Sequence, residues 1–113
     1  MTEAANINRV DIVGKLVKRA PVRYTPVGVP VIKLVIAHDS WQPEADHTKR
    51  VQCEVTVQAQ GEAHQAFLAD LHIGDPVRVQ GFLQRNAYRE DQSWLKVQAL
   101  SIEKVVEADA TLT

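Results

Sequence analysis

The residues able to do chemistry in this chain are few and dispersed. Four histidines, His38, His47, His64 and His72, stand far apart, and the single cysteine, Cys53, has no histidine at metal-ligand spacing. No glycine-rich phosphate loop, nucleophile elbow or helix-borne His-Glu motif occurs. Asp39, Glu44 and Asp46 could carry a hard cation by composition alone, but an acidic loop is ordinarily just solvated. The chain therefore reads as a non-enzyme with no catalytic residue, no metal and no cofactor. What remains is a set of cations and flat rings. The rings are Trp41, Trp94, Tyr88 and Phe82. The cations fall in three groups: Lys15, Lys18, Arg19 and Arg23; then Lys49 and Arg50; then Arg85, Arg89 and Lys96. Cations that track phosphates and rings that stack on bases are the two parts a surface needs to hold a single nucleic-acid strand. Lys18, Trp41, Lys49, Arg50, Arg85, Tyr88, Arg89 and Trp94 are the candidates for that role. Each has a plainer reading. A strand Trp or Phe also packs against a loop or a partner subunit, and scattered Lys and Arg also keep a surface soluble. Tyr24 sits in a turn pattern and reads as structural.

Composition bounds the answer. The 113 residues suffice for one domain, and 45% hydrophobic residues suffice for one core. The formal net charge is -1, so any basic surface must be local, and binding to a polyanion should be modest and steeply salt-dependent. One cysteine excludes an internal disulfide and fits a reducing compartment. No apolar run approaches the roughly 20 residues of a membrane helix. Met1 to Ala5 carry no leader pattern, so a cytoplasmic protein is expected.

The elements that must position these residues follow from periodicity. Val10, Ile12, Gly14 and Leu16 share one face of a first strand, with Arg9, Asp11 and Lys15 opposite. Pro21, Pro26, Gly28 and Pro30 predict a short extended piece at Val22, Arg23 and Tyr24 and a turn over residues 25–28. Residues 31–37 form an apolar strand broken only by Lys33. The polar residues 38–50, with Pro43, predict a long loop. Val51, Cys53, Val55 and Val57 then alternate with Gln52, Glu54, Thr56 and Gln58 on a third strand, which makes Cys53 a small core residue. Ala63, Ala66, Phe67 and Leu71 predict a short helix within 61–72, stopped near Gly74. Val77, Val79, Gly81 and Leu83 mark a fourth strand, residues 84–92 a polar loop, and Leu95, Val97, Ala99 and Ile102 a last strand. Residues 1–5 and 107–113 lack a packing pattern and read as flexible ends around a single binding domain over 6–106. Five strands with one short helix between the third and fourth is the order of the OB-fold, an all-β Greek-key barrel that binds oligonucleotides on its second and third strands and neighbouring loops. His38 could orient the loop near Trp41, but a surface histidine is the default reading. The less buried face of the first strand, with Val13 and Val17, is a candidate surface for self-association.

Two stretches go beyond pattern. Residues 8–41, NRVDIVGKLVKRAPVRYTPVGVPVIKLVIAHDSW, resemble the opening of the bacterial single-stranded DNA-binding protein family. Residues 74–83, GDPVRVQGFL, are similar to a later strand of the same superfamily. TPVGVPVIKLVIAHDSWQPEA, the central QCEV, and VRVQGFL with the later SIE resemble its short primosomal branch over nearly the whole chain. That resemblance implies a homodimer that binds single-stranded DNA and helps restart stalled replication forks. It also implies contact with the primosomal helicase (PriA) and a helicase-loading partner (DnaT-like). A general single-stranded DNA-binding protein carries a long tail with an acidic tip, and the chain is expected to lack one, ending Ala110-Thr111-Leu112-Thr113. Two departures weaken the expected hold on DNA. Gln52 precedes Cys53 where relatives can carry tryptophan, and the last loop offsets Arg85 and Arg89 with Glu90 and Asp91. The alternatives are a general single-stranded DNA-binding protein and an OB module that mainly docks proteins.

Overall fold

A computed structural model describes residues 3–86 and 94–106. After one 3-10 turn at Glu3–Asn6 come β1 (Val10–Arg19), β2 (Arg23–Tyr24), β3 (Pro30–Glu44), β4 (His47–Gln60), α1 (Glu62–Leu68), β5 (Pro76–Arg85) and β6 (Leu95–Lys104). The sheet order is β1-β5-β6-β4-β3-β2, and β1 also pairs with β3. That second pairing closes the sheet into a barrel of five long strands with one helix. β2 is a two-residue strand set against Val31 and Pro30. Neighbours are antiparallel except β4 and β6, which run parallel at Val57/Val97 and Gln58/Gln98.

Closure depends on β1 changing partner along its length. Residues 10–15 pair with β5, and residues 15–19 pair with β3. The change happens at Gly14 and Val17. A Cβ at Gly14 would stand 2.8 Å from the carbonyl oxygen of Ala37, so only glycine lets the two backbones approach. Val17 has no partner between Leu16↔Ile36 and Lys18↔Val35, and this bulge adds the twist that turns the strand from one neighbour to the other. Inside the barrel, Leu16, Ile32, Leu34, Ile36, Val57, Val77, Val79 and Val97 are almost fully buried. Leu68 and Leu71 close one end.

A second bulge sits on β6. Gln80 faces Ser101 while Gly81 faces Ala99, so Leu100 is unpaired and projects to solvent. This explains why the apolar series Leu95, Val97, Ala99 resumes at Ile102. At the bulge the backbones close in, and a Cβ on Gly81 would lie 2.0 Å from the oxygen of Gln98.

Several expectations are corrected. The segment 38–50 is not a loop. β3 and β4 continue as one antiparallel ladder from Val31↔Gln60 out to Glu44↔His47. The pattern was silent because both faces of this arm are solvated, and its turn uses Ala45 at φ 52 in place of an Asn-Gly pair. Pro43 is tolerated because β1 pairs with β3 only as far as Ala37, which leaves the arm of β3 as an edge. Cys53 lies on that arm and is exposed, not in the core. Leu83 and Leu95 are likewise exposed where their hairpin outruns the barrel. The helix is shorter than 61–72: it covers Glu62–Leu68, Ala63 and Ala66 are exposed, and Leu71 is buried beyond its end. Arg19 is a structural cation. Its Nη1 donates to the carbonyls of Leu68 at 3.1 Å and Leu71 at 2.7 Å, satisfying groups that the end of α1 leaves open. Residues 3–5 of the expected N-terminal end lie in the 3-10 turn Glu3–Asn6, while 1–2 and 107–113 lie outside the described residues. Among the described residues no helix is long and apolar enough to cross a membrane.

Two outcomes follow. Gly81→Ala forces the β5–β6 backbones apart and should cost about 1–3 kcal/mol, read as a lower urea midpoint at unchanged slope. Asp75 accepts the backbone N–H of His72 at 2.8 Å and lies 3.4 Å from Lys104. The His72 N–H bond above all, aided by Lys104, holds its carboxyl below the ordinary 3.8. Its contribution to stability is therefore present above pH 3.8 and lost as pH falls through the lower folded value. Asp75→Asn should lower stability at neutral pH and lose less of it on acidification than the parent. Parallel unfolding curves for the two proteins at every pH would contradict this.

Candidate nucleic-acid interface

Strand alternation sorts the candidate residues into two faces. Ile32, Leu34 and Ile36 of β3 point into the barrel, so Val31, Lys33, Val35, Ala37, Asp39 and Trp41 point out. Their β4 partners on that outer face are Gln60, Gln58, Thr56, Glu54, Gln52 and Arg50. β6 continues the face on the other side of β4: Val97 is buried, so Lys96 and Gln98 face outward, and Trp94 follows them just before the strand. On the far side of β3, Lys18 pairs with Val35 and Arg23 with Val31. One outer surface therefore carries Lys18, Arg23, Lys33 and Lys96 on the barrel and Trp94 and Trp41 toward the arm. Eight residues separate Lys33 from Trp41, about 26 Å along a strand. Both indoles are well exposed, Trp41 at 68% and Trp94 at 60%.

The barrel end of this surface is a cleft of about 420 Å³. Its walls are the turn from Ala20 to Thr25 and Asn86, and its floor is Val31, Lys33, Gln58 and Lys96. The wall is pinned locally. Thr25 accepts the backbone N–H of Gly28 at 2.8 Å on its carbonyl and that of Val29 at 3.0 Å on its hydroxyl. Gly28 supplies the φ of 89 that this turn needs. Tyr24 accepts a hydrogen bond from Gln65 of α1 at 2.9 Å, in keeping with a structural role. Lys96 donates to Oε1 of Gln58 at 3.0 Å. Burial lowers the Lys96 pKa from the ordinary lysine value, and the neighbouring Lys33 charge lowers it further.

The arm carries more acid than base: Asp39, Glu44, Asp46 and Glu54 against Lys49 and Arg50. Arg50 grips Asp39 with two bonds, Nε–Oδ1 at 2.9 Å and Nη2–Oδ2 at 2.5 Å. The bidentate contact raises the Arg50 pKa and lowers that of Asp39. Lys49 lies 3.5 Å from Glu44. These two expected phosphate contacts therefore already have carboxylate partners. Arg85 is exposed, but its cross-strand partner is Leu95, which places it on the opposite face from Trp94 and Lys96. Phe82 pairs with Gln98 on the outer face and is half-buried. Tyr88 and Arg89 lie outside the described residues. His38 turns away from Trp41. Its Nδ1 lies 2.6 Å from the carbonyl oxygen of Val13 and its Nε2 2.6 Å from the hydroxyl of Ser40, so it ties the arm to β1. Among the described residues no cluster of His, Cys, Asp or Glu could hold a metal ion.

Of the residues singled out from the sequence, Lys18, Arg23, Trp41, Phe82, Trp94 and Lys96 share this face; Lys33 and Gln58, also on it, were not singled out. The signal for Lys33 was present, as the one charge inside an apolar strand. Gln58 had none beyond its place on the polar side of an alternation.

Residues 8–99 match a family described as another single-strand binding protein family. The replication restart protein PriB of Neisseria gonorrhoeae is 34% identical over 91 residues, 80% of this chain and 89% of that protein. The crystal structure of PriB from Ralstonia solanacearum superposes with a TM-score of 0.73 at 26% identity, over 88% of this chain and 99% of that one. The single-stranded DNA binding protein of Thermus aquaticus shares the fold, with a TM-score of 0.70 at 24% identity over 88% of this chain and 50% of that one. Barrel, outer surface and sequence lead to one assignment: the chain belongs to the single-strand binding protein family that its residues 8–99 match.

Proposed function

We propose that this protein holds single-stranded DNA on the outer surface of β3, β4 and β6 and serves replication restart, by binding and not by catalysis. The observation that carries the reading is one continuous face with lysines at the barrel and two exposed indoles toward the arm. Cations answer phosphates and indoles answer bases, a combination that tolerates any sequence. The PriB name of the relatives supplies the restart context. The barrel is read as a Greek-key OB-fold with α1 between its third and fourth long strands, acting in the cytoplasm. The binding unit is read as residues 6–106.

Homodimerisation is part of this reading. Residues 10–14 of β1 pair with β5 on one side, and β3 departs on the other. An open groove of about 670 Å³ follows, lined by Val13, Val17, His38 and Cys53 among others. Val13 and Val17 are 42% and 40% exposed beside it. A second copy of β1 would cover that edge and those side chains. The primosomal helicase (PriA) and a DnaT-like loading partner are the protein contacts this role calls for. The arm, with both of its cations engaged by carboxylates and an excess of acid, suits a protein surface better than a phosphate backbone. That favours a second reading in which the arm docks a protein while the barrel holds DNA.

Anisotropy with a fluorescein-labelled oligothymidine should show saturable binding that weakens with salt and is absent for duplex. Trp41→Ala and Trp94→Ala should each remove about 1–3 kcal/mol, roughly a 5- to 150-fold loss of affinity. No binding by the parent at low salt would refute the reading. Val13→Glu should convert a dimer to a monomer by light scattering, and an unchanged mass would remove β1 from the interface.

A further inference from the structure

The cleft floor holds an unusual charge arrangement. Lys33 on β3 and Lys96 on β6 flank Gln58 of β4, the first as its cross-strand partner and the second as its hydrogen-bond donor. Both lysines are half-buried, unlike Lys15, Lys18, Lys49, Arg50 and Arg85, which are exposed. Among the described residues neither Lys33 nor Lys96 forms an ion pair. Arg50, Arg78 and Lys104, by contrast, each have a carboxylate within 3.4 Å. Two like charges drawn into a cleft repel each other and lose hydration, and the depressed pKa of Lys96 reports both costs. An anion between them would reverse the sign of both effects. Each ammonium has three donors, and Lys96 uses one on Gln58. The carboxamide of Gln58 uses its oxygen on Lys96 and has two N–H donors besides.

We propose that Lys33, Gln58 and Lys96 form a subsite for a single phosphate group at the barrel end of the DNA-binding surface. It takes a phosphodiester of the bound strand and also accepts small phosphate oligoanions, which compete with DNA there. The inference deepens the single-strand reading and rests on it. The cleft is wide enough for a nucleotide unit beside Tyr24 and is bounded on both sides, so the phosphate is held at one fixed point. The exposed cations elsewhere on the face can follow a moving strand; this pair fixes its register.

The test is the salt dependence of oligothymidine binding for the full chain, for Lys33→Gln/Lys96→Gln, for each of the two single changes, and for Lys104→Gln, which like each single change removes one positive charge, at the other end of β6. The double variant should bind at least 10-fold more weakly at low salt. Its plot of log affinity against log salt should flatten by about 0.7, the value for one phosphate contact on a single strand, while Lys104→Gln keeps the parental slope. Inorganic tripolyphosphate should displace DNA from the parent at concentrations that leave the residual binding of the double variant untouched. A parent that binds DNA and a double variant with unchanged slope and unchanged displacement would overturn the subsite. If the parent binds no DNA, the single-strand reading falls, and a nuclear magnetic resonance titration with tripolyphosphate decides the subsite alone. Saturable shifts of the Lys33 and Lys96 side-chain signals then support it, and their absence overturns it. Melting temperatures within a few degrees of the parent establish that the variants are folded.

Discussion

The structure depends on the close approach of β1 and β3 at Gly14. A sheet of alternating apolar residues can bury its inner face only by closing or by stacking on another layer. Among the described residues there is one seven-residue helix and no second layer, so closure is the solution they adopt. Closure asks one strand to serve two neighbours. β1 does so because Gly14 adds no side chain beneath Ala37 and Val17 absorbs the extra twist. Everything inward then follows: Leu16, Ile36, Val57 and Val79 meet in one core, and α1 covers one end.

The same alternation that fills the inside decides what the outside can do. Where β3 lies over the core, its odd-numbered residues face solvent as a flat, regular row. Lys33 stands in that row because an apolar strand has a wet side. Lys96 reaches the same surface by a different route. The parallel alignment of β6 with β4 at Val57/Val97 brings a residue more than 60 positions away beside Lys33. Neither strand alone makes the cleft. It exists only in the closed barrel, which ties its chemistry to the fold.

Much of this was readable beforehand, for a physical reason. Positions over a core alternate, so β1, the inner part of β3, β4 near Val57 and β5 near Val79 were legible. Even the β6 bulge left a trace, as the phase step from Ala99 to Ile102. The arm left none. Residues 41–54 are exposed on both faces, so no hydrophobic period marks them, and Ala45 carries its left-handed turn without glycine or asparagine. Cys53 was misplaced for the same reason: the face that is core at Val57 is solvent four residues earlier. At the site, single residues such as Trp41 and Trp94 could be named from type and phase. The pairing of Lys33 with Lys96 could not, because it depends on a parallel register that no local pattern encodes. Arg19, Lys49 and Arg50 show the converse limit, since charge is visible in a sequence and the partner that engages it is not.

The arm has a consequence for how such a protein can change over generations. Its side chains bury almost nothing, and exposed substitutions away from special backbone positions usually alter stability by less than about 0.5 kcal/mol. Ala45 and the ladder itself are held, but the identities of most of the others are nearly free. The barrel has no such latitude, because Gly14, Gly81 and the core side chains each answer to a neighbour in contact. Most of the arm's exposed side chains can therefore be exchanged at little cost in stability, while the barrel stays as it is.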